Sequence, residues 1–214
     1  MRLNLRSLSV ENGGIWWRFV LQILPVLLMG GIVFGLAYTS IPEIDDSILV
    51  INLVAVTVLL YIAMLTFREQ YGWNLSLLLF FSASLGSVFG LHLSNTTLHV
   101  SLEPFWFVIP CLAVAATCGH WIGDRFSELG VILWLVAWGY LLGWAVLIFL
   151  RLDPVFALTW SLIGLLLFTG LASVWFANMG AHFHQRSSVS AAINLYLICI
   201  NLYIAALILQ SLQL

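Results

Sequence analysis

Along this chain of 214 residues the apolar positions gather into seven runs, at 17 to 38, 47 to 67, 73 to 93, 104 to 122, 129 to 150, 155 to 177 and 189 to 210. Each run is close to the ~20 residues that an α-helix needs to cross about 30 Å of hydrocarbon. None shows the two-residue alternation of a membrane β-strand, and a continuous helix satisfies every backbone donor and acceptor within its own segment. The breaks carry helix-ending and helix-starting residues: Pro42 with Asp45 and Asp46, Glu103-Pro104 before the fourth run, and Asp153-Pro154 before the sixth. The pattern predicts an all-α integral membrane protein, a single membrane domain over residues 1–214 built as a seven-transmembrane-helix bundle.

Composition strengthens this reading. The chain is 63% hydrophobic and only 7% charged, whereas soluble domains carry about 25% charged residues. Residues 19 to 38 follow Arg2, Arg6 and Arg18 as a secretory signal would, but they are long enough to span and lack a small-residue cleavage site, so they are predicted to stay as the first span. All seven basic residues are arginines. With seven crossings, Arg2, Arg6, Arg18, Arg68, Arg125 and Arg186 fall on one side and Arg151 alone on the other. Basic loops resist translocation, so Arg68, Arg125 and Arg186 mark the cytoplasmic boundary, with the N-terminus cytoplasmic and the C-terminus outside. The bacterial plasma membrane is the expected location, since no organelle address is evident. The scattered charge offers no basic patch for nucleic acid.

Small residues four apart let membrane helices approach closely. Such stripes occur at Gly31 and Gly35, at Ser82, Gly86 and Gly90, at Ala115, Gly119 and Gly123, and at Gly139 and Gly143. Each is expected to mark a helix contact, and Pro25 and Pro110 are expected to kink their helices. Cys111, Cys118 and Cys199 all lie in apolar runs without C-x-x-C spacing, and packing rather than a disulfide framework is expected of them.

Few polar groups lie inside the runs: Gln22, Asn52, His92, His120, Asn194 and Asn201, with hydroxyls such as Ser84, Ser87, Thr169 and Ser173. Asn194, Ile198 and Asn201 stand at i, i+4 and i+7, so they share a face of the last helix. Either the two amides brace neighbouring helices, the favoured reading, or they line a water path. A second group gathers near the predicted cytoplasmic side. His120 and Asp124 are four apart, and His182 with His184 could complete a tetrahedral metal site, which makes an intramembrane metal hydrolase conceivable. Loop histidines near headgroups are the plainer account, and the same holds for His92 and His99. No nucleophile elbow, phosphate loop or H-E-x-x-H pair occurs, and the absence of lysine excludes Schiff-base chemistry. Neither an enzyme nor a cofactor is expected.

Gly119, Asp124, Phe126, Ser127, Leu129 and Gly130, followed by an apolar helix, resemble the stretch between the fourth and fifth helices of the transmembrane Bax inhibitor motif family. Leu195-Tyr196-Leu197 and Ile200-Asn201-Leu202 are similar to that family's terminal pattern Leu-Tyr-Leu-Asp-Phe-Ile-Asn-Leu-Phe. Asp124, Ser127, Gly130, Tyr196 and Asn201 carry the likeness. The resemblance implies a bundle in which six helices surround the last, and a role as a calcium leak or as a regulator of cell death and membrane stress; bacterial members include a modulator of a membrane-bound protease. It also implies two buried aspartates that share a proton, and here the chain departs. The corresponding positions fall near Phe176 and at Ile198, neither of which can titrate. Arg68 resembles a basic residue near that pair.

Three expectations follow. The first is passive movement of Ca²⁺ or another cation, in an ion-homeostasis or stress role. The second is a non-conducting modulator or partner of other membrane proteins, such as a membrane protease. The third is the metal hydrolase. All three share the lipid bilayer as the medium.

Overall fold

A computed structural model describes residues 14–40, 47–67, 70, 73–94, 104–122, 127–150, 154–179 and 188–211. Among them every regular element is helical: α1 (Gly14–Ser40), α2 (Ser47–Phe67), α3 (Trp73–Ser94), α4 (Phe105–Ile122), α5 (Ser127–Leu150), α6 (Pro154–Ala177) and α7 (Ser188–Ser211). Four of these, α1, α3, α6 and α7, are long and apolar enough to cross a membrane. The other three carry shorter apolar stretches at Ile51–Met64, Trp106–Trp121 and Leu129–Tyr140. Many large apolar side chains lie exposed, among them Ile32, Ile51, Phe80, Val131 and Leu166. Water does not tolerate such a surface, and hydrocarbon does.

The helix ends obey local chemistry. Pro104 sits at the threshold of α4, where its carbonyl accepts from the N–H groups of Phe107 and Val108 at 3.0 and 3.1 Å. Pro154 is the first residue of α6, where the missing N–H leaves no bond unmade. Pro25 lies inside α1, and the turn before it widens into a π-helical segment, Phe19–Ile23, with the Leu24 N–H bonded to the Phe19 carbonyl. A widened turn relieves the clash between the proline ring and the carbonyl four residues back. Within the helices, hydroxyls of Thr57, Ser82, Thr169 and Ser173 donate to the carbonyl four residues back at 2.6 to 2.9 Å. In an apolar medium the helix backbone is the nearest acceptor.

The chain forms two compact units. The first holds α1, α2 and α3 with the start of α7 as far as Asn194; the second holds α4, α5 and α6 with the rest of α7. In the first unit α3 packs on both α1 and α2. A Cβ at Gly86 would run into the Phe34 carbonyl, and one at Gly90 would lie 2.8 Å from the Tyr38 carbonyl oxygen. Both partners advance by four residues, so α1 and α3 run parallel along a glycine seam. The Thr57 and Ser84 hydroxyls meet at 2.7 Å, and the Tyr61 and Phe81 rings lie 5.9 Å apart. Here one index rises as the other falls, so α2 runs antiparallel to α3.

The second unit repeats this layout with different chemistry. α6 packs on both α4 and α5. A Cβ at Gly119 would lie 2.6 Å from the Ser173 carbonyl oxygen and 2.9 Å from the Ala177 nitrogen, which puts the last turns of α4 and α6 at one level. Gly130 faces Val174, Gly143 receives the Trp160 ring, and Gly164 receives the Tyr140 hydroxyl, an antiparallel register for α5 on α6. Tyr140 and Trp160 stack at 5.3 Å with their planes 4° apart.

The small-residue stripes are therefore only partly helix contacts. Those at Ser82, Gly86 and Gly90 and at Ala115 and Gly119 are; Gly123 lies outside the described residues. Gly143 is packed, but Gly31, Gly35 and Gly139 have nothing within 4 Å of where a Cβ would stand. Four-residue spacing places two glycines on one face, and nothing in the spacing turns that face toward a neighbour.

Candidate functional site

The candidate site is the polar face of α7. This helix is the most buried of the four long apolar ones: 72% of its apolar stretch is buried, against 39% for α3, 33% for α6 and 11% for α1. A helix with most of its residues buried has little lipid-facing surface, so its polar residues cost little in hydrocarbon exposure, provided that each finds a partner. Ser190 and Asn194 are buried, Ile198 is only 2% exposed, and Asn201 is half-buried. Tyr196 is buried as well.

The Asn201 amide does not brace a neighbour with the bond that is visible. Its Nδ2 donates to the Leu197 carbonyl of its own helix at 2.7 Å. Carboxamides four residues from a backbone carbonyl can close a local bond without ordering a second helix, and that bond wins here. Asn178, just beyond α6, does the same, with Nδ2 donating to the Val174 carbonyl at 2.9 Å.

The sixth-helix position near Phe176, where the resemblance would set the family's other acid, is also apolar. Phe176 meets Trp175 edge-on at 5.2 Å, and its Cβ lies 2.9 Å from where a Cβ on Gly119 would stand. The neighbouring Ser173 hydroxyl is bonded to Thr169. Among the described residues the only carboxylate is Glu128, second residue of α5. No acid lies within the middle of any described helix.

The other expected residues divide simply. Gly130 is buried against Val174, and Ser127 opens α5. His120 is exposed in the last turn of α4. Asp124, Arg68, Arg125, Arg186, His182 and His184 lie outside the described residues, as do His99 and Gly123. Among the described residues no group of three histidines, cysteines or carboxylates could hold a metal. Gln22 and Asn52 are exposed and belong to no polar cluster with α7. Thr57 is the polar residue that its sequence context hides. One threonine in an apolar run looks like any β-branched filler, and only the arrival of Ser84 reveals the bridge.

A protein-family model described as inhibitor of apoptosis-promoting Bax1 matches residues 14–213. The chain belongs to this Bax1-inhibitor family. The match covers every described helix, so this is an integral membrane protein of the Bax-inhibitor type from α1 through α7. No curated protein aligns with the chain at the significance demanded of a relative.

Proposed function

We propose that this Bax1-inhibitor family protein is a non-conducting, non-enzymatic modulator that acts through contacts with other membrane-spanning proteins. The observation that carries this reading is that Ile198, in the middle of the α7 face, is buried, and that among the described residues no carboxylate lies within the middle of a helix. A hard cation such as Ca²⁺ takes six to eight oxygen ligands, several of them carboxylate. Here the middle of the α7 face is a buried isoleucine, and the nearest amide, on Asn201, spends a donor on its own backbone. The described residues of that face offer amide and hydroxyl oxygens but no carboxylate for a divalent ion, and no group that changes charge between about pH 6 and about pH 8.

The open stripe at Gly31 and Gly35 supports the partner half of the reading. It is a small-residue face on α1 against which no described residue packs, the shape that another membrane helix packs against. Seven crossings with a cytoplasmic N-terminus form part of this proposal. They are supported by the up-down-up order within each unit and by the six arginines that then share one side.

Purified protein in proteoliposomes tests the first half. Ca²⁺ flux is expected to equal that of protein-free vesicles across about pH 6 to 8. Flux above that level, and lost in Asn201→Leu, would establish the leak instead. Cysteine crosslinking from Gly31→Cys in native membranes tests the second half, and recovery of the monomer alone would count against a partner.

A further inference from the structure

One end of the first unit carries aromatic side chains that the fold leaves outside. Trp17 is 63% exposed, Phe67 42% and Trp73 68%. The helix registers place them together along the unit's axis. Phe34 is level with Gly86 through the α1–α3 seam, so Trp17 and Trp73 lie about 25 Å and about 20 Å below that seam at 1.5 Å per residue. The α2–α3 pairs, Thr57 with Ser84 and Tyr61 with Phe81, put Phe67 level with Asn74. The three rings therefore lie within about 8 Å of each other in height, about one and a half helical turns. Indole rings with an apolar body and one N–H prefer the boundary between hydrocarbon and headgroups.

Charge is polarised along the same axis. Arg18 follows Trp17 and is exposed. In the sequence Arg2 and Arg6 precede α1 and Arg68 follows α2, with Glu11 and Glu69 as the only acids in those segments, whereas the segment between α1 and α2 has Glu43, Asp45 and Asp46 and no base. Every one of these cations is a guanidinium, whose planar fork matches a phosphate oxygen pair better than an ammonium does. We propose that this end of the first unit, centred on Trp17, Arg18 and Trp73, binds the headgroups of anionic phospholipids. The indoles set the depth in the bilayer, and the guanidinium takes the phosphate.

Native mass spectrometry of the full chain, released from mixed micelles of phosphatidylglycerol and phosphatidylcholine, tests this. The wild type is expected to retain phosphatidylglycerol roughly tenfold over phosphatidylcholine, a preference that falls as salt rises from about 0.05 M to about 0.5 M. Arg18→Gln is expected to reduce the preference several-fold, and Trp17→Ala with Trp73→Ala to lower total lipid retained. Trp106→Ala, an equally exposed indole at the start of α4, is expected to leave the preference unchanged. Equal retention of the two lipids by the wild type would overturn the proposal whatever the variants do. So would a preference insensitive to salt, or one that survives in the triple variant.

Discussion

The first and last helices are equally apolar by mean hydropathy, yet 11% of α1 is buried and 72% of α7. In water such a pair would be impossible, because hydropathy and burial go together there. In lipid they separate: the tails are as apolar as leucine, so a helix gains little from hiding its aliphatic side chains and is placed by packing and by its polar groups. The two sequences carry that difference. α1 has Arg18, Gln22, Thr39 and Ser40, all exposed, with Tyr38 alone half-buried, whereas α7 carries Ser190, Asn194, Tyr196, Asn201, Tyr203 and Gln210, every one buried or half-buried. In α7 the polar residues lie on the protein interior.

The sharpest way to break the comparison is to place a charge in the middle of α7. Ile198→Asp puts a carboxyl at a position only 2% exposed, and at about pH 7 the loss of stability is expected to exceed about 3 kcal/mol in equilibrium unfolding from mixed micelles. An unchanged stability would show that water or a counter-charge reaches the position.

Next in size is the one edge of α1 that is packed. Gly86→Leu drives a side chain into the Phe34 carbonyl and is expected to cost about 3 kcal/mol. Gly31→Leu points into open space and is expected to change the chain's own stability by less than about 0.5 kcal/mol while abolishing crosslinks from Gly35→Cys on the same face. A smaller contrast comes from truncation. Ile198→Ala opens a cavity and is expected to cost about 2 kcal/mol, whereas Ile32→Ala, at a position 60% exposed, is expected to cost almost nothing because lipid fills the gap. Thr57→Val removes the hydroxyl bridge to Ser84 and is expected to cost about 1 kcal/mol.

The helices were legible because their limits are set by charges and prolines that cannot continue an apolar helix. The run at 47 to 67 coincides with α2, and the last run, 189 to 210, falls one residue short of α7 at each end. α1 begins earlier than its apolar run, since Gly14 and Ile15 extend the helix toward the interface. Contacts were much less legible. The Ser82, Gly86 and Gly90 stripe and the Gly31 and Gly35 stripe have the same spacing, and only the first meets a backbone. Gly164 belongs to no four-residue stripe and still receives the Tyr140 side chain. Close approach depends on which helix arrives at a face, and that is a property of the whole fold. In the candidate site, the i, i+4, i+7 spacing of Asn194, Ile198 and Asn201 was readable, but the bond from Asn201 to Leu197 was not. An asparagine can satisfy itself on its own helix or on another, and its position in the sequence is the same in both cases.

The account stands on the face of α7 being dry at Ile198. In a variant with Cys111, Cys118 and Cys199 replaced by alanine, Ile198→Cys can be challenged with a membrane-impermeant charged thiol reagent from either side of sealed proteoliposomes. A dry, packed helix predicts that position 198 stays unlabelled at every pH at which the protein remains folded. Rapid labelling there in folded protein would mean that water reaches the centre of the last helix, and the non-conducting reading would be contradicted.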